Sequence, residues 1–407
     1  MTDPNTMLLR NGRVLTPGGI AVADLVVNDG RITAIAPGAA AGDGATVIDA
    51  GDLLVVPGYI DIQINGGFGH DFTQNPETIW DVGARLPEYG VTAFFPTVIT
   101  SPPETFVEAQ RVMTDGPPEG YAGAVPIGLH LEGPMLSPKQ PGTHDTLYLR
   151  EPAEVATDTW GPETGVRMVT LAPELPGALD LITALAERGI VVSIGHSNAT
   201  YDEAVAGFRA GATVGTHLYN AMSALHHREP GLVGALLAEP EVAAEIIVDG
   251  IHSHPKAVRI AWDAKGPDNL VLITDAMAAM GMGHGEFVIS SINVFVDETG
   301  PRNASGVLAG SALTMDEAVR NLAEFAGCSA EEAIGAATAN PAAAISDAER
   351  GVLEAGARAD ITLLDQGLGV VATMVGGAVV HGASEVSIDT TGGSHRASKE
   401  TDKGGRE

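Results

Sequence analysis

The chain has 407 residues, one cysteine and a formal net charge of −30 from 22 basic and 52 acidic side chains. A field of that sign repels nucleic acid and anionic membrane surfaces, the lone Cys328 excludes an intrachain disulfide, and no apolar run is long enough to span a bilayer. The amino terminus, MTDPNTMLLRNGR, lacks the basic-then-apolar order of a secretory signal, so the expected setting is soluble and cytoplasmic, and an anionic ligand must find a local positive site.

The first fifty-odd residues read as short strands separated by turns, with Asn28-Asp29-Gly30 a strong hairpin signal. From residue 56 the pattern changes. Apolar runs of strand length recur at 56–65, 91–100, 125–134, 166–174, 190–198, 212–220, 244–252 and 270–278. Helical patterns lie between several of them, at 76–89, 176–189 and 201–211. Near-continuous apolar strands alternating with helices imply a parallel sheet covered on both faces, and eight such units fit a (β/α)8 barrel of the TIM type. An open doubly wound sheet is the alternative, but no Gly-rich phosphate fingerprint follows the first strand. Residues 284–311 read as a hairpin insertion, 313–327 and 329–345 as helices, and 351–382 again as β-rich.

The expected organisation is therefore a small β-sandwich built from both termini (1–55 and 351–385) around a barrel (56–350). A polar tail at 386–407, rich in Gly, Ser and Lys, is expected to be disordered.

In such a barrel, chemistry collects at the C-terminal ends of the strands. Here strand 1 ends in Gln63 and Asn65, strand 3 in His130 and Glu132, and strand 5 in His196. Strand 6 ends in His217 and Asn220, strand 7 in Asp249 and His252, and strand 8 in Asp275. One such histidine alone would read as a hydrogen-bonded packing residue. Six strand ends converging on one mouth do not, because unpaired buried carboxylates and imidazoles are costly.

Glu132, His196 and His217 supply one carboxylate and two imidazoles from three strands, a catalytic zinc set with an open position for water. Imidazole also suits Fe or Co, and Mn is a further alternative, so the donors favour zinc without fixing the metal's identity. Gln63 and Asn65 stand where many metallohydrolases carry a histidine pair, and are poor ligands beside imidazole. A second metal is therefore not expected, and the two read as vestigial second-metal positions. His130 reads equally as a support behind the ligands or as a packed core residue. Asp275, after the run LVLIT, is the expected general base; its competing reading is a helix N-cap ahead of Ala-Met-Ala-Ala.

The motifs PGYIDIQINGG, HLEGPMLSP, PGTHD, GHSNAT, THLYNAMSALHHREPG, DGIHSHP, ITDAMAAMG and LAGSALTMDEAVRN together resemble the N-acetylglucosamine-6-phosphate deacetylases of the amidohydrolase superfamily, over residues 8–382. The resemblance implies hydrolysis of the acetamide of N-acetylglucosamine 6-phosphate, in amino-sugar catabolism and cell-wall recycling. It also implies a barrel with a β-sandwich, one divalent metal per subunit on Glu132, His196 and His217, Asp275 as catalytic residue, and a homodimer. Thr143 and His144 then match a sugar-contacting loop, with His144 helping to polarise the amide carbonyl. Asn220 and Ala221 match phosphate contacts, and Arg228 matches an arginine that reaches the phosphate from the neighbouring subunit. Asp249, His252, Leu308, Ala309 and Gly310 match further substrate-contacting segments. The cluster His226-His227-Arg228 agrees in its chemistry, since Arg recognises phosphate bidentately.

Three rivals remain at this stage. A related N-acetylhexosamine phosphate is not distinguishable by sequence. Cyclic-amide amidohydrolases need a lysine on strand 4, where this chain ends in Glu174. A scaffold that binds sugar phosphate without turning it over would have no use for the intact set of Glu132, His196, His217 and Asp275.

Overall fold

Eight parallel strands line one sheet in chain order: β1 Tyr59–Ile64, β2 Val91–Ile99, β3 Leu129–Glu132, β4 Val166–Leu171, β5 Val191–Ile194, β6 Val214–Gly215, β7 Ala243–Ile246 and β8 Leu270–Leu272. They belong to a computed structural model that describes residues 6–390. β1 pairs with β2, and β2 through β8 pair in succession, all parallel. Backbone hydrogen bonds beyond the ladders close the ring: Asp275 N–H donates to the Gln63 carbonyl (2.9 Å) and Asn65 N–H to the Ala276 carbonyl (2.8 Å). The architecture is a (β/α)8 barrel beside a separate β-sheet domain.

The sequence explains the barrel locally. β2, VTAFFPTVI, is buried at every position, which suits β-branched and aromatic side chains covered on both faces. Helices follow each strand except β3; the one after β5, Tyr201–Ala210, opens on a capping box of Thr200 and Glu203. The connection after β3 instead runs through three short 3₁₀ turns, at Thr146–Tyr148, Pro152–Glu154 and Pro162–Thr164. This irregular segment carries the PGTHD loop over the barrel mouth.

The second sheet has nine strands from both ends of the described chain. The hairpin of Gly19–Asn28 and Arg31–Ala36 turns at Asp29 (φ 47) and Gly30 (φ 74), the paired positive φ of a type I′ turn that the Asn-Asp-Gly signal predicts. The strand Thr6–Thr16 is a branch point, pairing with Thr46–Asp49 and then with Leu54–Pro57 along the same edge. Leu9, Leu25, Ile48, Ile361 and Met374 fill a core of this domain's own.

Three local expectations need correction. The insertion after β8 is a three-stranded antiparallel sheet, Gly285–Ile289, Ile292–Asp297 and Gly300–Asn303, rather than a hairpin. The helical pattern at 329–345 breaks into Ala330–Gly335 and Ala339–Ala344, because Pro341 has no N–H and cannot engage the Ala337 carbonyl. That carbonyl accepts instead from Ile60 N–H of β1 (2.9 Å). Third, Ile388–Thr390, assigned to the disordered tail, pairs antiparallel with Thr46–Asp49, so backbone pairing overrides polar composition there. The rest of that tail, from 391, lies outside the described residues. Among the described residues no helix is long and apolar enough to cross a membrane.

Candidate active site

The chain places its chemistry at the strand ends or two to three residues past them. Glu132 is the last residue of β3; His196, His217 and Asp275 follow β5, β6 and β8. The last three have φ of 47°, 34° and 47°, a left-handed backbone that costs a non-glycine residue of order 1–3 kcal/mol. The surrounding barrel holds that conformation, which turns each side chain inward at the point where the strand would otherwise carry it past the mouth.

Glu132 Oε1 lies 3.1 Å from both His196 Nε2 and His217 Nε2, and the two nitrogens are 3.1 Å apart. All three side chains are buried. His196 Nδ1 sits 3.0 Å from the Gln140 carbonyl oxygen. That oxygen only accepts, so Nδ1 carries the proton and Nε2 offers a lone pair inward. A tetrahedral zinc with nitrogens at ~2.0–2.1 Å sets neighbouring donors ~3.3 Å apart, close to the spacing found here. One carboxylate and two imidazoles on that spacing fit a divalent metal. Burial would raise the Glu132 carboxyl, but the His196 and His217 imidazoles overcome it and hold the group well below its usual range.

Two glycines make the packing possible. Gly142 has φ +55°, and a Cβ there would lie 2.9 Å from His196 Cε1, so only glycine lets the PGTHD loop close on the imidazole. Gly133 has φ +91°, and a Cβ would lie 2.3 Å from Thr100 Oγ1. The glycine of HLEGP thus leaves room for a hydroxyl at the end of β2.

Asp275 is not a helix cap. Its Oδ1 accepts from Asn65 Nδ2 at 2.7 Å and more weakly from Gln63 Nε2 at 3.4 Å. Burial, with the Glu132 charge second, pushes its carboxyl up to about 6, the tuning a general base needs to work near neutrality. Behind it Asp61 holds Thr274 Oγ1 at 2.5 Å, and burial raises this carboxyl to about 7. Gln63 and Asn65 thus face the Asp275 carboxylate with their amide nitrogens. His130 is the packed histidine of its two readings. It is buried, bonds Thr170 Oγ1 through Nε2 (2.7 Å), and burial lowers it to about 4.

A cavity of about 490 Å³ opens over this group. Of the residues singled out from sequence, Asn65, Glu132, Thr143, His144, His196, His217, Asn220, Ala221, His252, Asp275, Leu308 and Gly310 line it. Ala309 lies just behind, buried against Met277 and Ile289. Asp249 orients His252, accepting at 2.7 Å from its Nδ1 and at 2.7 Å from its backbone N–H. Burial would raise Asp249, but the His252 hydrogen bond lowers it below the ordinary range. His144 is held to about 3 by burial and by His196 beside it, so it is a neutral imidazole. Arg228 stands apart from the cavity. It is exposed, bonds His227 Nε2 at 2.8 Å, and lines a neighbouring groove with Tyr201 and Met222.

Sequence reasoning missed three residues here. Lys139 and Arg302 line the cavity wall, adding cationic groups to a strongly acidic chain. Lys139 falls between two recognised motifs and was visible on that ground; Arg302 arrives on the three-stranded insertion, whose placement no local pattern gives. Thr100, beside His144, carries no titratable group to draw notice.

The chain is similar to known proteins over most of its length. Residues 54–380 match the model of the amidohydrolase family. A human N-acetylglucosamine-6-phosphate deacetylase is 41% identical over 391 residues, covering 91% of this chain and 94% of that protein. One from Bacillus subtilis is 34% identical, covering 91% and 96%. Among solved structures, the deacetylase from Pasteurella multocida superposes with a TM-score of 0.86 at 33% identity, covering 92% and 99%. A mutant of the Mycobacterium smegmatis deacetylase, solved in complex with N-acetyl-D-glucosamine 6-phosphate, gives 0.84 at 36% identity over the same shares.

Proposed function

The chain belongs to the amidohydrolase family, among its N-acetylglucosamine-6-phosphate deacetylases, and from that membership we propose that it hydrolyses N-acetylglucosamine 6-phosphate to glucosamine 6-phosphate and acetate. The observation that carries the reading is the convergence of Glu132 Oε1, His196 Nε2 and His217 Nε2 within 3.1 Å at the floor of a cavity that Asp275 also lines.

In this reading Glu132, His196 and His217 hold one divalent metal per subunit; zinc suits such a set, and Fe, Co or Mn are the alternatives. A metal bound there supplies Lewis-acid polarisation of the acetyl carbonyl and acidifies the attacking water. Asp275 takes that water's proton as its oxygen bonds the acetyl carbon. The amide carbon–nitrogen bond then breaks, Asp275 returns the proton to the departing amine, and acetate leaves. His144, neutral and at the cavity wall, donates a hydrogen bond to the carbonyl oxygen as negative charge builds on it.

Thr143, Asn220, Ala221, the Asp249–His252 pair and the 308–310 segment bind the sugar phosphate. Arg228 completes the phosphate site across a homodimer, which its exposure and its distance from its own subunit's cavity support. The enzyme would act in the cytoplasm, within amino-sugar catabolism.

The test is acetate release from N-acetylglucosamine 6-phosphate by the purified protein, with metal content measured on the same sample. Turnover with about one metal per chain is the expected result. A metal-loaded sample that leaves the substrate untouched overturns the proposal.

A further inference from the structure

We propose that Thr100, at the end of β2, is a positioning residue that fixes His144 as the Nε2–H tautomer and so gives the cavity a neutral hydrogen-bond donor. Two observations at opposite ends of the ring point the same way. At Nδ1, the Thr100 backbone N–H approaches at 3.4 Å and Thr100 Oγ1 at 2.8 Å. A backbone N–H can only donate, so a proton on Nδ1 would face another proton; Nδ1 must accept. At Nε2, the carboxylate oxygen Glu132 Oε2 lies 3.9 Å away. A lone pair there would face a carboxylate oxygen, whereas an N–H faces it favourably.

The Thr100 hydroxyl has one proton and two acceptors within reach: Nδ1 at 2.8 Å and the Glu132 carbonyl at 3.3 Å. The shorter bond takes it. Thr100 thus spends both its donors on one ring nitrogen, and the remaining proton of His144 is left on the face toward the cavity. The arrangement is built rather than incidental. Thr100 and His144 are both buried, and only a glycine at 133 leaves room for the hydroxyl. Tautomer control by the partner of the other ring nitrogen is a general device of histidine sites. Here the partner is supplied by a residue with no charged group, whose other near neighbour is the Glu132 backbone carbonyl.

The catalytic consequence rests on the deacetylase reading; the tautomer does not. The experiment therefore has two arms. In the first, histidine-15N-labelled, zinc-loaded protein is examined by long-range proton–nitrogen correlation, with His144 assigned by loss of its signals in His144→Asn. Protonation of Nε2 is expected, and protonation of Nδ1 overturns the proposal whatever the enzyme's activity. In the second, Thr100→Val removes the hydroxyl at constant volume and Thr100→Ser restores it. Thr100→Val should lower kcat about tenfold with KM changed less than twofold, and Thr100→Ser should return kcat to within about twofold of wild type. Wild-type kcat in Thr100→Val overturns the positioning role. If wild type itself fails to turn over the sugar phosphate, the deacetylase reading falls and the spectrum alone decides the tautomer. Should Thr100→Val not fold, the wild-type spectrum and Thr100→Ser still carry the test.

Discussion

The barrel mouth has two sides that occupy equivalent places in the fold and carry opposite chemistry. On the side of β3, β5 and β6, three donors meet within 3.1 Å and are oriented for a cation. On the side of β1, the two positions that would face the same cavity are amides, and their nitrogens turn away from any cation to hold Asp275. An amide cannot match imidazole as a ligand, but its N–H₂ can donate to a carboxylate. The contrast teaches that the fold supplies inward-facing positions at several strand ends, while the residue type decides whether a position offers a metal donor or a hydrogen bond to Asp275. Gln63 and Asn65 are therefore better described as supports of Asp275 than as remnants of a lost metal site.

The largest effects should come from the metal side. His217→Ala leaves two donors where three are needed. Metal content should fall from about one per chain to well below one, and turnover should fall with it to background. Retained stoichiometric metal would mean that the trio is not the metal site. Next comes Asp275→Asn, which keeps the shape and removes the proton carrier. It should lower kcat by about 10³-fold, within the range for loss of a general base, while metal content stays unchanged. Near-normal kcat would move the base elsewhere.

On the amide side the expected effects are smaller and have a sign. Asn65 donates to the ionised form of Asp275, which lowers its pKa against burial. A base works only when deprotonated, so activity should rise with pH through an acid limb. That limb should lie at or below about 6, since a bound cation favours the carboxylate further. Asn65→Leu removes the 2.7 Å bond, so the limb should move up by about one pH unit, as one charge-assisted hydrogen bond implies. The plateau kcat should fall about tenfold. A limb that stays in place would show that Asn65 does not act on Asp275.

Much of this was legible in the sequence, and the exceptions share a cause. The eight strands announce themselves as apolar runs because both faces of a parallel sheet are buried. Glu132, His196, His217 and Asp275 are legible because each sits at the end of such a run. What local pattern does not give is anything fixed by a distant partner. Ile388–Thr390 is polar and becomes a strand only because the edge of Thr46–Asp49 is open to it. Arg302 reaches the cavity because the insertion folds over the mouth. Thr100 gains a role only through His144, forty-four residues away, and Arg228 finds none in its own cavity. The amide nitrogens of Gln63 and Asn65 likewise have meaning only against Asp275, more than two hundred residues later.

Gln63 gives the finest division between the two sides. Its side-chain bond to Asp275 is long, 3.4 Å, and its Oε1 is buried with no partner among the described residues. An unpaired buried acceptor costs about 1–3 kcal/mol, so the side chain carries a penalty that its weak bond barely offsets. The stronger link between these strands is the Gln63 backbone carbonyl, which accepts from Asp275 N–H at 2.9 Å and survives any substitution. Gln63→Leu, similar in volume, should therefore leave kcat within about threefold and leave Tm unchanged or raise it, as expected when an unsatisfied buried polar group is removed. A fall in kcat as large as that of Asn65→Leu would mean that both amides hold the base as a unit. A fall in Tm would mean that Oε1 has a partner, such as a bound water, that makes Gln63 part of the structure rather than a spectator beside Asn65.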